Sequence, residues 1–210
     1  MIEAPDRDCA GCARLVGFRE EIRERFADYF AAPVPSFGVD RARLLVVGLA
    51  PGLHGANRSG RPFTGDHAGI LLYSTLHQFG FATRAESVAA DDGLRLRNCR
   101  ITNAVRCVPP QNKPLPVEVK ACNAYLLAEL ESVPAGGVVL ALGAIAHDAV
   151  LRALALRKAD YRFAHGAEHD LAGRHTLLDS YHCSRYNTQT RRLTSDMFAQ
   201  VFSRARELLS

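Results

Sequence analysis

Leu44-Leu45-Val46-Val47-Gly48 runs directly into Leu49-Ala50-Pro51-Gly52-Leu53-His54-Gly55-Ala56-Asn57-Arg58-Ser59-Gly60-Arg61-Pro62-Phe63-Thr64-Gly65-Asp66. The opening aliphatic run has no polar alternation, which is how a strand buried on both faces reads. The five glycines and two prolines between Gly48 and Asp66, both included, let a backbone come close to a ligand and hold an irregular loop in place. The loop lacks the Lys-Ser/Thr ending of a nucleotide P-loop and the spacing of a dinucleotide fingerprint.

Three more apolar runs, Ile101 to Val105, Val138 to Leu142 and Thr176 to Asp179, read as strands of the same kind. Helical patterns separate them. Phe18, Ile22, Phe26 and Phe30 recur every fourth residue, as do Cys122, Leu126 and Leu130; Ala144 to Leu156 follows a strand directly. Thr194 is placed to cap a last helix with Met197, Val201 and Leu208 on its apolar side. Strands alternating with helices predict a three-layer α/β/α domain on a central four-stranded parallel sheet, with ligands bound beyond the carboxyl ends of the strands. No repeat or long linker divides residues 1–210, so a single domain is expected.

At 210 residues the chain can bury about 70% of its unfolded surface without disulfides. A hydrophobic share of 48% and a charged share of 23% exclude disordered and collagen-like classes. The N-terminal residues carry no signal-like apolar stretch, and no run approaches the ~18 apolar residues of a membrane span. A cytoplasmic protein is expected, in a compartment where spaced cysteines mark metals more often than disulfides. Cys9-x2-Cys12 and Cys107-x14-Cys122 suggest one metal centre stapling the N-terminus to mid-chain. Cys99 and Cys183 are expected to be small buried residues. The net charge of +4 proves no nucleic-acid partner, but arginines gather near the unusual loops: Arg58 and Arg61, Arg100 and Arg106 with Lys113, then Arg185, Arg191 and Arg192. Such clusters suit phosphate contacts.

Two further loops look specialised. Thr102-Asn103-Ala104-Val105-Arg106-Cys107-Val108-Pro109-Pro110 packs an amide, a base, a cysteine and a proline turn together, and Tyr181-His182-Cys183-Ser184-Arg185 sets a histidine at a strand end. With Cys-x-x-Cys, Gly-Leu-Ala-Pro-Gly and Gly-Arg-Pro-Phe-Thr-Gly-Asp before them, these strings in this order resemble the uracil-DNA glycosylase superfamily, most of all its family 5, the UDGb type. The match runs from Cys9 to the final helix.

The resemblance implies a DNA-repair enzyme that flips uracil out of DNA and hydrolyses its glycosidic bond, leaving an abasic site. Other deaminated or modified bases, such as hypoxanthine, xanthine and ethenocytosine, are implied as further substrates. It implies a [4Fe-4S] cluster on Cys9, Cys12, Cys107 and Cys122, although zinc on the same thiolates fits the sequence too. Phe63 matches the ring that stacks on the flipped base, Asn103 the amide that reads its edge, and His182 the catalytic donor. Gly48, Leu49, Ala50, Gly52, His54 and Asn57 would complete the base site. The carboxylate that several families carry just after the opening glycine is replaced by Leu49 and Ala50, so Asp66 is expected to orient water or screen charge at C1′, to cap the following helix, or both. Tyr186 would act as a wedge, with Arg58, Arg61, Arg185, Arg191 and Arg192 on phosphates. The absence of a Lys-Arg-Arg-Ile-His insertion points to turnover, not a lasting covalent adduct, and the family implies a monomer. Two other readings stay open: a catalytically silent module for damaged or single-stranded DNA, and a metal-supported hydrolase of nucleosides or nucleotides.

Overall fold

The computed structural model describes Ile2 and residues 4–210. In chain order the elements are α1 (Ala13–Arg25), β1 (Phe37–Gly38), β2 (Leu44–Gly48), α2 (Ala56–Ser59), α3 (His67–Gln78), β3 (Cys99–Asn103), α4 (Pro116–Ser132), β4 (Gly137–Leu142), α5 (Ala144–Ala153), β5 (Glu168–Leu171), β6 (His175–Ser180), α6 (Arg185–Gln189) and α7 (Ser195–Leu208). The sheet order is β1-β3-β2-β4-β6-β5. Its four central strands are parallel, as expected, while β1 and β5 add short antiparallel edges.

Every residue of β2 and β4 is buried, so the two-residue period of a strand sends alternate side chains to opposite layers. Leu44, Val46 and Leu140 meet Leu72 and Leu76 of α3 and Phe198 and Phe202 of α7. Leu45, Val47 and Val139 meet Leu126 and Leu130 of α4 and Ala149 and Val150 of α5. Burying each such aliphatic or phenyl side chain contributes about 1.5–3 kcal/mol. Leu15 of α1 joins the second layer beside Val105, Val119 and Cys122, which docks the N-terminus against mid-chain. Cys99 and Cys183 lie fully buried in the first.

Three expectations shift in detail. The second strand ends at Asn103, not Val105, because Gly48 ends its parallel partner in register with Asn103. The periodic phenylalanines outrun α1. The helix stops at Arg25 because Phe26 leaves helical geometry (φ −138°) and stacks on Tyr29 at 4.5 Å, with Phe30 beyond it. The segment Arg185-Tyr186-Asn187, expected as a loop, is the first turn of α6, capped by Ser184. Thr194 caps α7 as expected, its side chain accepting from the Met197 N–H at 3.2 Å. No helix among the described residues is long and apolar enough to cross a membrane.

Candidate active site

A cavity of about 560 Å³ opens at the carboxyl ends of β2, β3, β4 and β6, and Leu49, Ala50, Gly52, Phe63, Asp66, Asn103, His182, Arg185 and Tyr186 line it. Gly48 adjoins two of these residues: a Cβ there would overlap both Asn103 Oδ1 and the Phe63 ring. The sheet register places Gly48 opposite Asn103, so the amide projects from one strand end across the bare backbone of the next.

Asn103 is buried, and its Oδ1 has no hydrogen-bond partner. A buried unpaired carbonyl costs about 1–3 kcal/mol, so it stands as an acceptor waiting for a donor. Phe63 is buried with φ 57°, a left-handed conformation that a bulky residue rarely adopts and that marks strain held for a purpose. Its neighbours enforce it. The Tyr73 hydroxyl donates to the Pro62 carbonyl at 2.7 Å, a Cβ on Gly69 would overlap the Phe63 carbonyl, and Arg61 and Thr64 lock the chain on either side. The Phe63 and His182 rings face each other at 6.1 Å and 28°.

Asp66 stands at the N-cap position of α3 but gives the helix no side-chain hydrogen bond. The carboxylate turns back into the glycine loop, where it accepts from the Ala56 N–H at 3.0 Å and from that of Gly52. Its expected capping role is therefore corrected: the side chain serves the loop, and Gly52 and Gly55 have no Cβ because one would occupy the carboxylate's place. Burial raises the Asp66 pKa, against the lowering effect of those two N–H donors. Burial alone pushes His182 down to about 4, which leaves a neutral ring at neutral pH. The Asn187 amide donates to the His182 carbonyl at 2.8 Å and fixes the turn that carries it.

Several expected site residues lie elsewhere. His54 is exposed and takes the Tyr29 hydroxyl at 2.7 Å, packed edge-on to Phe26, away from the cavity. Asn57 is buried outside the lining, with neither side-chain polar atom partnered. Arg61, expected on phosphate, is buried in a bidentate pair with Asp92 at 2.5 and 3.0 Å. Arg100 and Arg106 likewise turn to the buried Glu129, at 2.5 and 2.9 Å. Charge clustering in sequence could not separate these structural cations from the exposed ones: Arg58 over the Tyr29 ring, Arg185 and Tyr186 on the cavity rim, Arg191, and Arg192 over Tyr181. Conversely, His67, Asn112, Gly143 and Ile145 also line the cavity. Asn112 follows Gln111 in a second positive-φ conformation. The adjoining Pro109-Pro110 turn was its one sequence signal.

The four spaced cysteines come together. Burial raises the Cys12, Cys107 and Cys122 thiols, Cys107 to about 12, and charge on neighbouring cysteines of the set adds to each shift. Raised thiols favour their protons, which a bound metal would displace. The donor set fits a thiophilic centre.

A family model described as the Uracil DNA glycosylase superfamily matches residues 35–206. The chain belongs to that superfamily. It is 50% identical over 205 residues to a type-5 uracil-DNA glycosylase of Thermus thermophilus, covering 95% of this chain and 93% of the relative. A type-5 uracil-DNA glycosylase of Mycobacterium tuberculosis is 45% identical over 208 residues, 95% of this chain and 78% of its own. One of Pyrobaculum aerophilum is 43% identical over 202 residues, 94% and 88%. In this uracil-DNA glycosylase superfamily member every residue lining the cavity falls within the matched range 35–206, which also holds Cys107 and Cys122.

Proposed function

We propose that the chain is a monofunctional DNA glycosylase that removes uracil from DNA by hydrolysis and leaves an abasic site. The observation that carries the reading is the convergence of Phe63, Asn103, Asp66 and His182 on one cavity that the Gly48 backbone leaves open. A flipped base would stack on Phe63 while the Asn103 amide meets its edge, the orphaned Oδ1 taking the base N–H. As the bond from C1′ to the base nitrogen breaks, the electron pair leaves with the base. Neutral His182 donates an N–H to the growing oxyanion. The Asp66 carboxylate screens the cationic sugar and orients the water that adds to C1′, whose proton passes to solvent.

Arg58, Arg185, Arg191 and Arg192 would hold phosphates, with Tyr186, 71% exposed on the rim, filling the vacated stack. The mostly apolar pocket leaves room for other deaminated bases, hypoxanthine and xanthine among them. Cys9, Cys12, Cys107 and Cys122 would hold a [4Fe-4S] cluster that fixes the Cys107–Lys113 loop, and hence Asn112, beside the cavity. Among the described residues, His147, His169 and Asp179 form the group of three whose donor atoms lie within 4.8 Å of one another. The thiols are spread more widely than that. A single zinc ion, with Zn–S bonds of about 2.3 Å, would draw them closer, which favours the larger cluster. We place the enzyme in the cytoplasm, acting as a monomer.

The test is alkali cleavage of an end-labelled oligonucleotide carrying one uracil, with hypoxanthine and unmodified controls, using anaerobically purified protein. Breaks that need both the lesion and alkali support the reading. Tight binding without breaks would replace it with the silent DNA-binding module, and release of uracil from free deoxyuridine alone with the nucleoside hydrolase.

A further inference from the structure

Arg19 lies on α1 seven residues past Cys12, two helical turns further along the same face. It is 3% exposed. Arginine is almost never fully buried unless an anion accompanies it, and the other well-buried arginines obey: Arg61 has Asp92, and Arg106 has Glu129. Among the described residues, no carboxylate ion-pairs with Arg19. One guanidinium nitrogen points at Cys107 Sγ at 3.9 Å, another donates to the Cys9 carbonyl at 3.2 Å, and Nε is buried with no partner.

A guanidinium keeps its proton in proteins, so this charge cannot be shed, and a desolvated cation without an anion costs several kcal/mol. Metal-bound thiolates at the Cys107 contact would supply the missing anion. We propose that Arg19 is the counter-ion of the thiolate centre, a positioning residue that balances the charge of the loaded cysteines and ties the Cys9 segment to the Cys107 loop. The proposal rests on the metal centre of the preceding section. The unpartnered Nε–H is one more buried donor on the same side chain. Hydrogen bonds to sulfur and local net charge set the potential of iron–sulfur groups. Removing one positive charge makes the centre harder to reduce and easier to oxidise.

The experiment compares the full wild-type chain with Arg19→Gln and Arg19→Lys, purified without oxygen, by iron and zinc content, visible absorbance, midpoint potential on an electrode, and rate of metal loss in air or to a chelator. Wild type is expected to carry iron. Arg19→Gln should shift the potential to a more negative value and lose metal at least tenfold faster. Arg19→Lys, which keeps the charge but not the fork, should hold the wild-type potential. A loaded wild type with an indifferent Arg19→Gln, or a shift in Arg19→Lys as large as in Arg19→Gln, overturns the counter-ion and leaves the metal centre standing. A wild type that binds neither iron nor zinc overturns the centre itself. If zinc is bound instead, faster zinc release from Arg19→Gln supports the counter-ion and an equal rate overturns it. Where Arg19→Gln does not accumulate as folded chain, Arg19→Lys decides alone: an unchanged potential supports the role and a shifted one refutes it.

Discussion

His182 gives the most discriminating prediction, because its environment fixes which form of the ring reacts. Burial holds its pKa at about 4, so at pH 7 about one molecule in a thousand carries an imidazolium. If the cation were the working form, the single-turnover excision rate would climb about tenfold for each pH unit from 7 down to 5. If the neutral N–H is the donor, the wild-type rate does not climb toward acid but falls once Asp66, whose pKa burial raises, takes up a proton. His182→Ala should lower the rate on the order of 10²–10³, about 2.7–4 kcal/mol of transition-state stabilisation, and its profile should keep the Asp66 limb. The measurement is single-turnover uracil release at constant ionic strength across pH 4.5 to 8.5. A wild-type rate that rises toward acid refutes a neutral donor.

The two arginine classes should separate under salt titration of DNA binding. Arg185→Ala lowers the slope of log affinity against log salt by about one, while Arg61→Met leaves the slope alone and costs about 3–5 kcal/mol in denaturant unfolding by stranding Asp92. Gly48→Ala should abolish excision while costing about 1–3 kcal/mol of stability, because its methyl takes the space between Asn103 and Phe63; an active variant would mean that the base does not enter over Gly48. Asp66→Asn keeps an acceptor for the Ala56 N–H and should lose activity with near-normal melting, whereas Asp66→Ala loses both; equal activity in all three chains would remove Asp66 from the chemistry. The fourth concerns His147, whose Nδ1 lies 2.8 Å from Asp179 and whose Nε2 meets the Tyr161 carbonyl at 3.0 Å. Burial opposes charge on this ring, yet the hydrogen bond and charge of Asp179 outweigh it and raise the pKa above the usual 6.5. A raised histidine stabilises the fold fully below its unfolded pKa and loses that contribution as pH rises through the folded value. Melting temperature should therefore drop from pH 6 toward alkaline pH in wild type and less steeply in His147→Gln.

The central sheet was legible because strands covered on both faces must be aliphatic throughout, and Leu44–Gly48 and Val138–Leu142 allow no other reading. The edges were not. Phe37–Gly38 is too short to show a period, and the first three residues of Glu168–Leu171 are not fully buried, so hydrophobicity marks neither. At the site, Phe63, Asn103 and His182 were found through motif strings, and their convergence follows from strand ends meeting at one edge. What failed was charge. A local arginine cluster records nothing about an aspartate thirty-one residues away, and the Arg61–Asp92 pair exists only once the chain between them folds back. Asn112 was missed because a positive-φ pair after Pro109-Pro110 looks in sequence like any polar turn.

Asp66 and His182 show why one kind of environment serves two chemistries. Desolvation disfavours charge on either group, so it raises the carboxyl and lowers the imidazole. The carboxylate receives two backbone N–H bonds in return, which oppose the rise in its pKa and favour its charge at neutral pH, and the ring receives no such help and stays neutral. Were His182 charged, it would neutralise the anion that the sugar cation needs and would offer the departing base a proton before the bond had weakened. In the proposed mechanism a neutral ring would leave the field of Asp66 directed at C1′. The division depends on the glycines at 52 and 55, whose missing side chains let the carboxylate reach the backbone donors, so the acid–base assignment of the pocket is written in the loop that follows the first aliphatic strand.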